Sequence, residues 1–218
     1  MTHKFKIIRN WHEIGEKIYN KSSVEIKDGL TVLCGCNGCG KTTFLRQIKN
    51  TLEKENIPFL NFDNLSDGGN NSVSASLYRG DINFVAQSLC SSEGENIILN
   101  IEKFAEKIGA FVRKNQSAKE IFFLMDAIDS GLSIDNIVDT KKFLFNTVIE
   151  DCKSKGISAY IIVSANEYEL ARSEQCLDTL NLKYIEFSDY EAFRDYVIKT
   201  RKAKNQRCKW EKWEEADI

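Results

Sequence analysis

The chain has 218 residues, 42% of them hydrophobic and 28% charged, and a formal net charge of −2. That is the size of one α/β domain able to bury its own core, and the balance excludes a disordered chain and any whole-molecule attraction to polyanions. No apolar run reaches the roughly 18 residues of a membrane span, the start lacks a signal-peptide stretch, and the seven cysteines are irregularly spaced, so a cytoplasmic, reducing setting is expected.

Residues 4–10 and 22–34 read as strands, the second broken at the turn dipeptide Asp28-Gly29. From Thr42 to about Glu55, Phe44, Leu45, Ile48 and Leu52 recur at helical spacing. Pro58 precedes a short strand at Phe59-Leu60-Asn61-Phe62, followed by Asp63-Asn64 and a polar, Gly-rich loop at 66–71 that is expected to be functional. Residues 73–90 read as helix. Glu95 to about Lys114 carries Ile97, Ile98, Ile101, Phe104, Ile108, Phe111 and Val112, an amphipathic stripe of period 3.6.

Ile121-Phe122-Phe123-Leu124-Met125 is a continuous apolar strand of the kind buried on both faces of a parallel sheet, and Asp126 ends it. A helix over about 134–154, a strand at 159–163, a weaker helix, a strand at 183–187 and a helix over 189–207 complete the chain. Strands alternating with helices predict an α/β, three-layer sandwich, a mostly parallel sheet with helices on both faces, in a single domain over residues 1–218.

Between the second strand region and the first long helix stands Gly35-Cys36-Asn37-Gly38-Cys39-Gly40-Lys41-Thr42. A polyphosphate near a sheet needs many backbone N–H donors at close range, and glycines remove the side chains that would block them. Lys41 supplies a cation to the β- and γ-phosphates, Thr42 can ligate Mg²⁺, and the helix N-terminus starting there favours negative charge. Thr43 extends the set. The strand, Gly-rich loop and helix are the context this pattern requires, so a nucleoside triphosphate, ATP with Mg²⁺, is the expected ligand. Cys34, Cys36 and Cys39 lack the second ligand pair of a structural zinc site.

The metal needs a carboxylate at the end of a neighbouring strand, and Asp126 fits that place. Asp63, after the preceding strand, is the second candidate, and Asp63-Asn64 are preferred to Gln87 for sensing the γ-phosphate.

Further segments, from residue 5 to about 190, resemble the nucleotide-binding domain of the ABC ATPase superfamily, specifically its SMC and RecF branch. Ile7-Ile8-Arg9-Asn10-Trp11 is similar to the opening strand and Asn-aromatic step of that branch, and residues 26–38 are similar to its approach to the phosphate loop. Ser92-Glu93-Gly94-Glu95, at the start of the amphipathic helix, resembles the signature motif, in which a serine hydroxyl, a glycine N–H and a helix N-terminus make a second anion site. The resemblance implies a homodimer in which Ser92, Gly94 and Glu95 face the γ-phosphate on the phosphate loop of the opposing chain. Asp126-Ala127-Ile128-Asp129-Ser130-Gly131-Leu132-Ser133 resembles the metal aspartate and the D-loop. For the adenine, Trp11 is preferred over His12 and Tyr19.

Two departures bear on activity. The glutamate that the family places after the metal aspartate is Ala127 here, and the switch histidine is Asn166. An alanine cannot orient a water, and such positioning is most of what a phosphoryl-transfer site contributes, so hydrolysis is expected to be slow unless Asp129 or Asp63 substitutes. The interval from Asp63 to Leu89 has no heptad repeat, which implies an ABC-ATPase-like head without coiled-coil arms.

The segment 199–218 forms a basic tail, with Lys199, Arg201, Lys202, Lys204, Arg207, Lys209 and Lys212 interleaved with Trp210 and Trp213. It reads either as a solvated helix with amphipathic lysine stems or as a nucleic-acid contact. The expected role is an ATP-dependent dimerising switch in DNA metabolism or repair, similar to small stand-alone phage and prophage proteins, with a protein or DNA as partner. The alternatives are a non-hydrolysing regulatory module and a small P-loop nucleotide kinase, although no paired-arginine lid is visible.

Overall fold

The apolar run at 22–34 divides at Asp28, and its halves enter different sheets. In the computed structural model, which describes residues 1–10, 17–63, 83, 86, 90, 93–130 and 132–207, β1 (Thr2–Lys6) pairs antiparallel with β2 (Ser23–Lys27), Phe5 opposite Val24. β3 (Gly29–Cys34) begins at Gly29, whose φ of 94° turns the chain out of this hairpin. The first strand therefore starts earlier than expected and stops at Lys6.

α1 (Lys41–Glu55) and β4 (Phe59–Asp63) follow, then α2 (Glu93–Lys114), β5 (Glu120–Asp126) and α3 (Ile134–Asp139). α3 runs through a π-helical stretch, Thr140–Phe145, into α4 (Asn146–Ser154), so the helix expected over 134–154 is continuous with a wide turn at its centre. Lys141 in that stretch donates to the carbonyls of Glu169 and Arg172 and pairs with Glu174 at 3.0 Å. β6 (Ser158–Ser164), α5 (Tyr168–Ala171), β7 (Gln175–Asp178), β8 (Lys183–Ile185) and α6 (Tyr190–Arg207) complete the order. β7 is a correction: residues 175–178 lie in a stretch read from sequence only as a weak helix, and four residues ending in Asp show no alternation to recognise.

Among the described residues, the main sheet has the order β4-β5-β6-β3-β7-β8, parallel except for the antiparallel pair β7–β8. The architecture is α/β, a mostly parallel sheet with helices on both faces. Alternating side chains of the central strands feed two cores, as a pleated strand buried on both sides must. Leu30, Val32, Ile121, Phe123, Met125, Ile161 and Val163 pack with Phe104, Ile108 and Val112 of α2, Phe145 and Phe193. Leu33, Phe122, Leu124, Tyr160 and Ile162 pack with Phe44, Leu45, Ile48 and Leu52 of α1 and with Phe5 and Ile26 of the hairpin. The C-terminal ends of β4, β5, β6 and β3 thus lie side by side at one edge, where open α/β sheets bind ligands.

Candidate nucleotide site

Cys34 ends β3, and its carbonyl is fixed by Thr179, whose hydroxyl donates at 2.9 Å, and by the Tyr196 hydroxyl at 3.3 Å. From that anchor the loop at 35–40 departs through Gly35, Gly38 and Gly40, with φ of 143°, 74° and 108°. The last two positions matter most. A Cβ at Gly40 would lie 2.7 Å from Ile18 Cγ2, so a side chain there is excluded by space as well as by backbone conformation, whereas at Gly38 the positive φ is the constraint, the nearby Lys204 Nζ being the movable end of a side chain.

Gly40 is the N-cap of α1, with no side-chain hydrogen bond to the first turn and no acidic residue in it. The unpaired first-turn amides of such a helix are donors without an internal acceptor, and their dipole favours an anion. Lys41 is buried, 8% exposed, and its ammonium folds back onto the carbonyls of Gly35 at 2.8 Å and Cys36 at 3.4 Å. Thr42 is exposed and Thr43 half-buried. The segment 35–43 thus joins positive-φ glycines and an uncapped helix N-terminus to a buried lysine whose ammonium is held by the loop's own carbonyls.

β6 separates the loop strand β3 from β5, which carries Asp126. With neighbouring strands about 4.8 Å apart, Asp126 stands roughly 10 Å from β3 across the sheet, and Ser164 at the end of β6 fills the interval. Its hydroxyl donates to Asp126 Oδ1 at 2.6 Å and accepts the Ala127 N–H at 2.8 Å. Ser164 escaped the sequence reading; a hydroxyl ending the strand between loop and carboxylate was the available signal. Ala127 adopts φ 53°, a left-handed conformation that costs an L-residue roughly 1–2 kcal/mol. Asp63 lies beside Asp126 in parallel register at the ends of β4 and β5.

Among the described residues no three His, Cys, Asp or Glu side chains converge as a metal cluster. A hard-oxygen set of the Thr42 hydroxyl, the Asp126 carboxylate and phosphate oxygens fits Mg²⁺, which takes one or two protein carboxylates and keeps waters. The oriented Asp126 and exposed Thr42 meet that requirement. Mg²⁺ bound there would neutralise charge on the β- and γ-phosphates.

Asp129 is buried, 2% exposed. Its Oδ2 accepts the N–H of Asn166 at 2.6 Å and of Glu167 at 2.8 Å, and its Oδ1 has no hydrogen-bond partner. Burial pushes this carboxyl above its ordinary range, against the pull of the two amides. Asp129 thus braces the backbone at Asn166 and Glu167, whose side chains are exposed. Glu167 is an exposed carboxylate at the sheet's ligand edge that the sequence reading passed over.

Tyr19 has no exposed surface. Its hydroxyl donates to the Gly40 carbonyl at 2.8 Å, and its ring meets Phe44 edge-on, so it props the loop and offers no face to a base. Gly94 and Glu95 lie in the first turn of α2. Trp11, His12, Asn64, Gln87, Ser92, Gly131, Trp210 and Trp213, with the loop at 66–71, lie outside the described residues.

No protein-family model and no curated protein sequence matches this chain. Among solved structures, a nucleotide-free ATP-binding cassette from an ABC transporter is similar over 92% of this chain and 98% of that chain, with a TM-score of 0.49 and 15% identity.

Proposed function

We propose that the chain is an ABC-type ATP-binding protein of the SMC and RecF kind, which binds ATP with Mg²⁺, pairs with a second copy when loaded, and hydrolyses ATP slowly or not at all. The observation that carries this reading is the uncapped, acid-free N-terminus of α1, reached through a loop whose glycines at 38 and 40 hold positive φ, with no room for a side chain at 40. The γ-phosphate of that ATP would meet Ser92, Gly94 and Glu95 of the second copy. Ala127 supports slow turnover, since no side chain there can orient a water. Asp129 is a poor substitute base because it is buried away from solvent and its Oδ2 already accepts the amides of Asn166 and Glu167.

The setting we propose is DNA metabolism or repair, as for the small stand-alone proteins of phages and prophages. A specific feature favours a polyanionic partner. A groove of about 570 Å³ between the β1–β2 hairpin and β8 is lined by Lys4, Lys21, Lys27 and Lys183 against Glu25, with Tyr184 at its wall. This local excess of positive charge stands on a chain whose net charge is −2, the arrangement that nucleic-acid phosphates select. A non-hydrolysing regulatory module is the second reading, favoured by Ala127 and Asn166. Among the described residues no helix is long and apolar enough to cross a membrane.

Sizing the protein with and without ATP and Mg²⁺, while following phosphate release, tests the proposal. A dimer formed only with nucleotide, with little phosphate released, is expected. A monomer under all conditions, or rapid steady-state hydrolysis, would contradict it.

A further inference from the structure

Cys36 and Cys39 occupy the second and fifth positions of the phosphate loop, a Cys-x-x-Cys pair that the nucleotide reading leaves without a role. The Cys39 N–H donates to the Cys36 carbonyl at 3.2 Å, closing a turn. Such a turn brings its first and last Cα atoms within about 7 Å, the span that a disulfide bridges. Both thiols are 2% exposed and share one small cluster with Leu180, Val197 and Ala203.

Two features bear on this pair. The neighbouring Cys39 thiol, the Thr200 hydroxyl and the ammonium groups of Lys204 and Lys41 draw the Cys36 thiol down to about 6 despite its burial. A lowered first thiol with a second cysteine three residues on, in one turn, is the pattern of Cys-x-x-Cys redox pairs. The roof of the cluster is one face of α6. Tyr196, Thr200 and Lys204, spaced four apart, reach the Cys34 carbonyl, the Cys36 N–H and the Asn37 carbonyl at 3.3, 3.0 and 3.2 Å. For an oxidant to reach the thiols, this helix must lift from the loop.

We propose that Cys36 and Cys39 are a redox-active dithiol, closed to an intramolecular disulfide by a small disulfide such as oxidised glutathione, and that closure turns off nucleotide binding. The second clause rests on the nucleotide reading above; the first does not. The Cys36 thiolate attacks one sulfur of the small disulfide, forming a mixed disulfide and releasing one thiolate. Cys39 gives its proton to solvent, its sulfur attacks Cys36, and the second small thiolate leaves. The two cysteines together lose two electrons, and the small disulfide takes them up. Nucleotide entry requires Lys41 to leave the carbonyls of Gly35 and Cys36 and the loop amides to open around phosphate. A covalent tie between residues 36 and 39 holds the turn shut against that movement.

The test uses the full chain, oxidised with glutathione disulfide, alkylated and mapped by fragment-ion mass spectrometry. A 36–39 linkage is expected in the wild type. Cys39→Ser is expected to stop at a glutathione adduct on Cys36, and Cys36→Ser to leave Cys39 unreacted. Titration of the same wild-type sample with ATP and Mg²⁺ is expected to show at least tenfold weaker binding when oxidised, restored by dithiothreitol. Reaction confined to the exposed Cys90, or equal reactivity of the two single variants, would overturn the dithiol. A formed linkage with unchanged nucleotide affinity would overturn the switch. Absence of nucleotide binding in the reduced protein would instead refute the site's assignment and leave the mapping result standing.

Discussion

The Ser164 hydroxyl holds Asp126 Oδ1 at 2.6 Å and, on its other side, takes the Ala127 amide at 2.8 Å. One side chain on the strand between loop and carboxylate thus sets both the aim of Asp126 and the left-handed turn that follows. Ser164→Ala leaves a partly buried amide and a carboxylate oxygen without their partner. It is expected to lower stability by about 1–3 kcal/mol in urea unfolding, and to weaken ATP binding with Mg²⁺ more than without it.

Ala127 follows Asp126 directly, where the proposed function would place a water-orienting carboxylate in a hydrolysing relative. Ala127→Glu is expected to raise the rate of phosphate release at least about tenfold, since positioned acid–base groups contribute on the order of 10²–10⁴. The backbone already holds φ 53° at that position, so the conformational cost is present in both proteins. Steady-state phosphate release from the two chains makes the comparison.

Asp129 is an acid raised by burial, and the sign of its linkage follows. Above its raised value the folded state carries the full desolvation cost, and this cost fades as pH falls through the window down to the ordinary carboxylate range. Asp129→Asn has no such titration. The stability of the Asn variant relative to wild type is therefore expected to increase as pH rises through that window, as read by denaturant unfolding at several pH values. Asp129→Ala, which strips the amides of Asn166 and Glu167 of their acceptor, is expected to cost about 1–3 kcal/mol.

Tyr19→Phe removes the donor to the Gly40 carbonyl and keeps the ring in the core. A loss of about 1 kcal/mol is expected, seen as a lower melting temperature. A several-fold weaker ATP affinity is expected with it, because Gly40 opens the helix whose amides receive the phosphates.

The sequence exposed those parts of the fold that local physics determines. The loop from Gly35 to Thr42, the apolar β5 ending in Asp126, and the stripes of α1 and α2 are each legible within one window of residues. The partners that shape the site come from far along the chain and leave no local pattern. Ser164 joins Asp126 across 38 positions, Tyr19 reaches Gly40 across 21, and Lys204 reaches Asn37 across 167. Basic α6 therefore read as a solvated helix or a nucleic-acid contact, whereas one of its faces roofs the phosphate loop. β7 was hidden for a different reason: it is short, and its Asp178 is spent on the amides of Leu180 and Asn181 in a turn that ends the strand early.

Lys41 is the side chain on which nucleotide binding turns, because its buried ammonium, held by the Gly35 and Cys36 carbonyls, is the cation of the loop. Calorimetric titration of the reduced, folded chain with ATP and Mg²⁺, beside Lys41→Ala, measures that claim most directly. Saturable binding by the wild type, weakened at least about tenfold in the variant by the loss of a charge-assisted contact, is the expected result. No binding by the folded wild type, or equal binding by both, would contradict it.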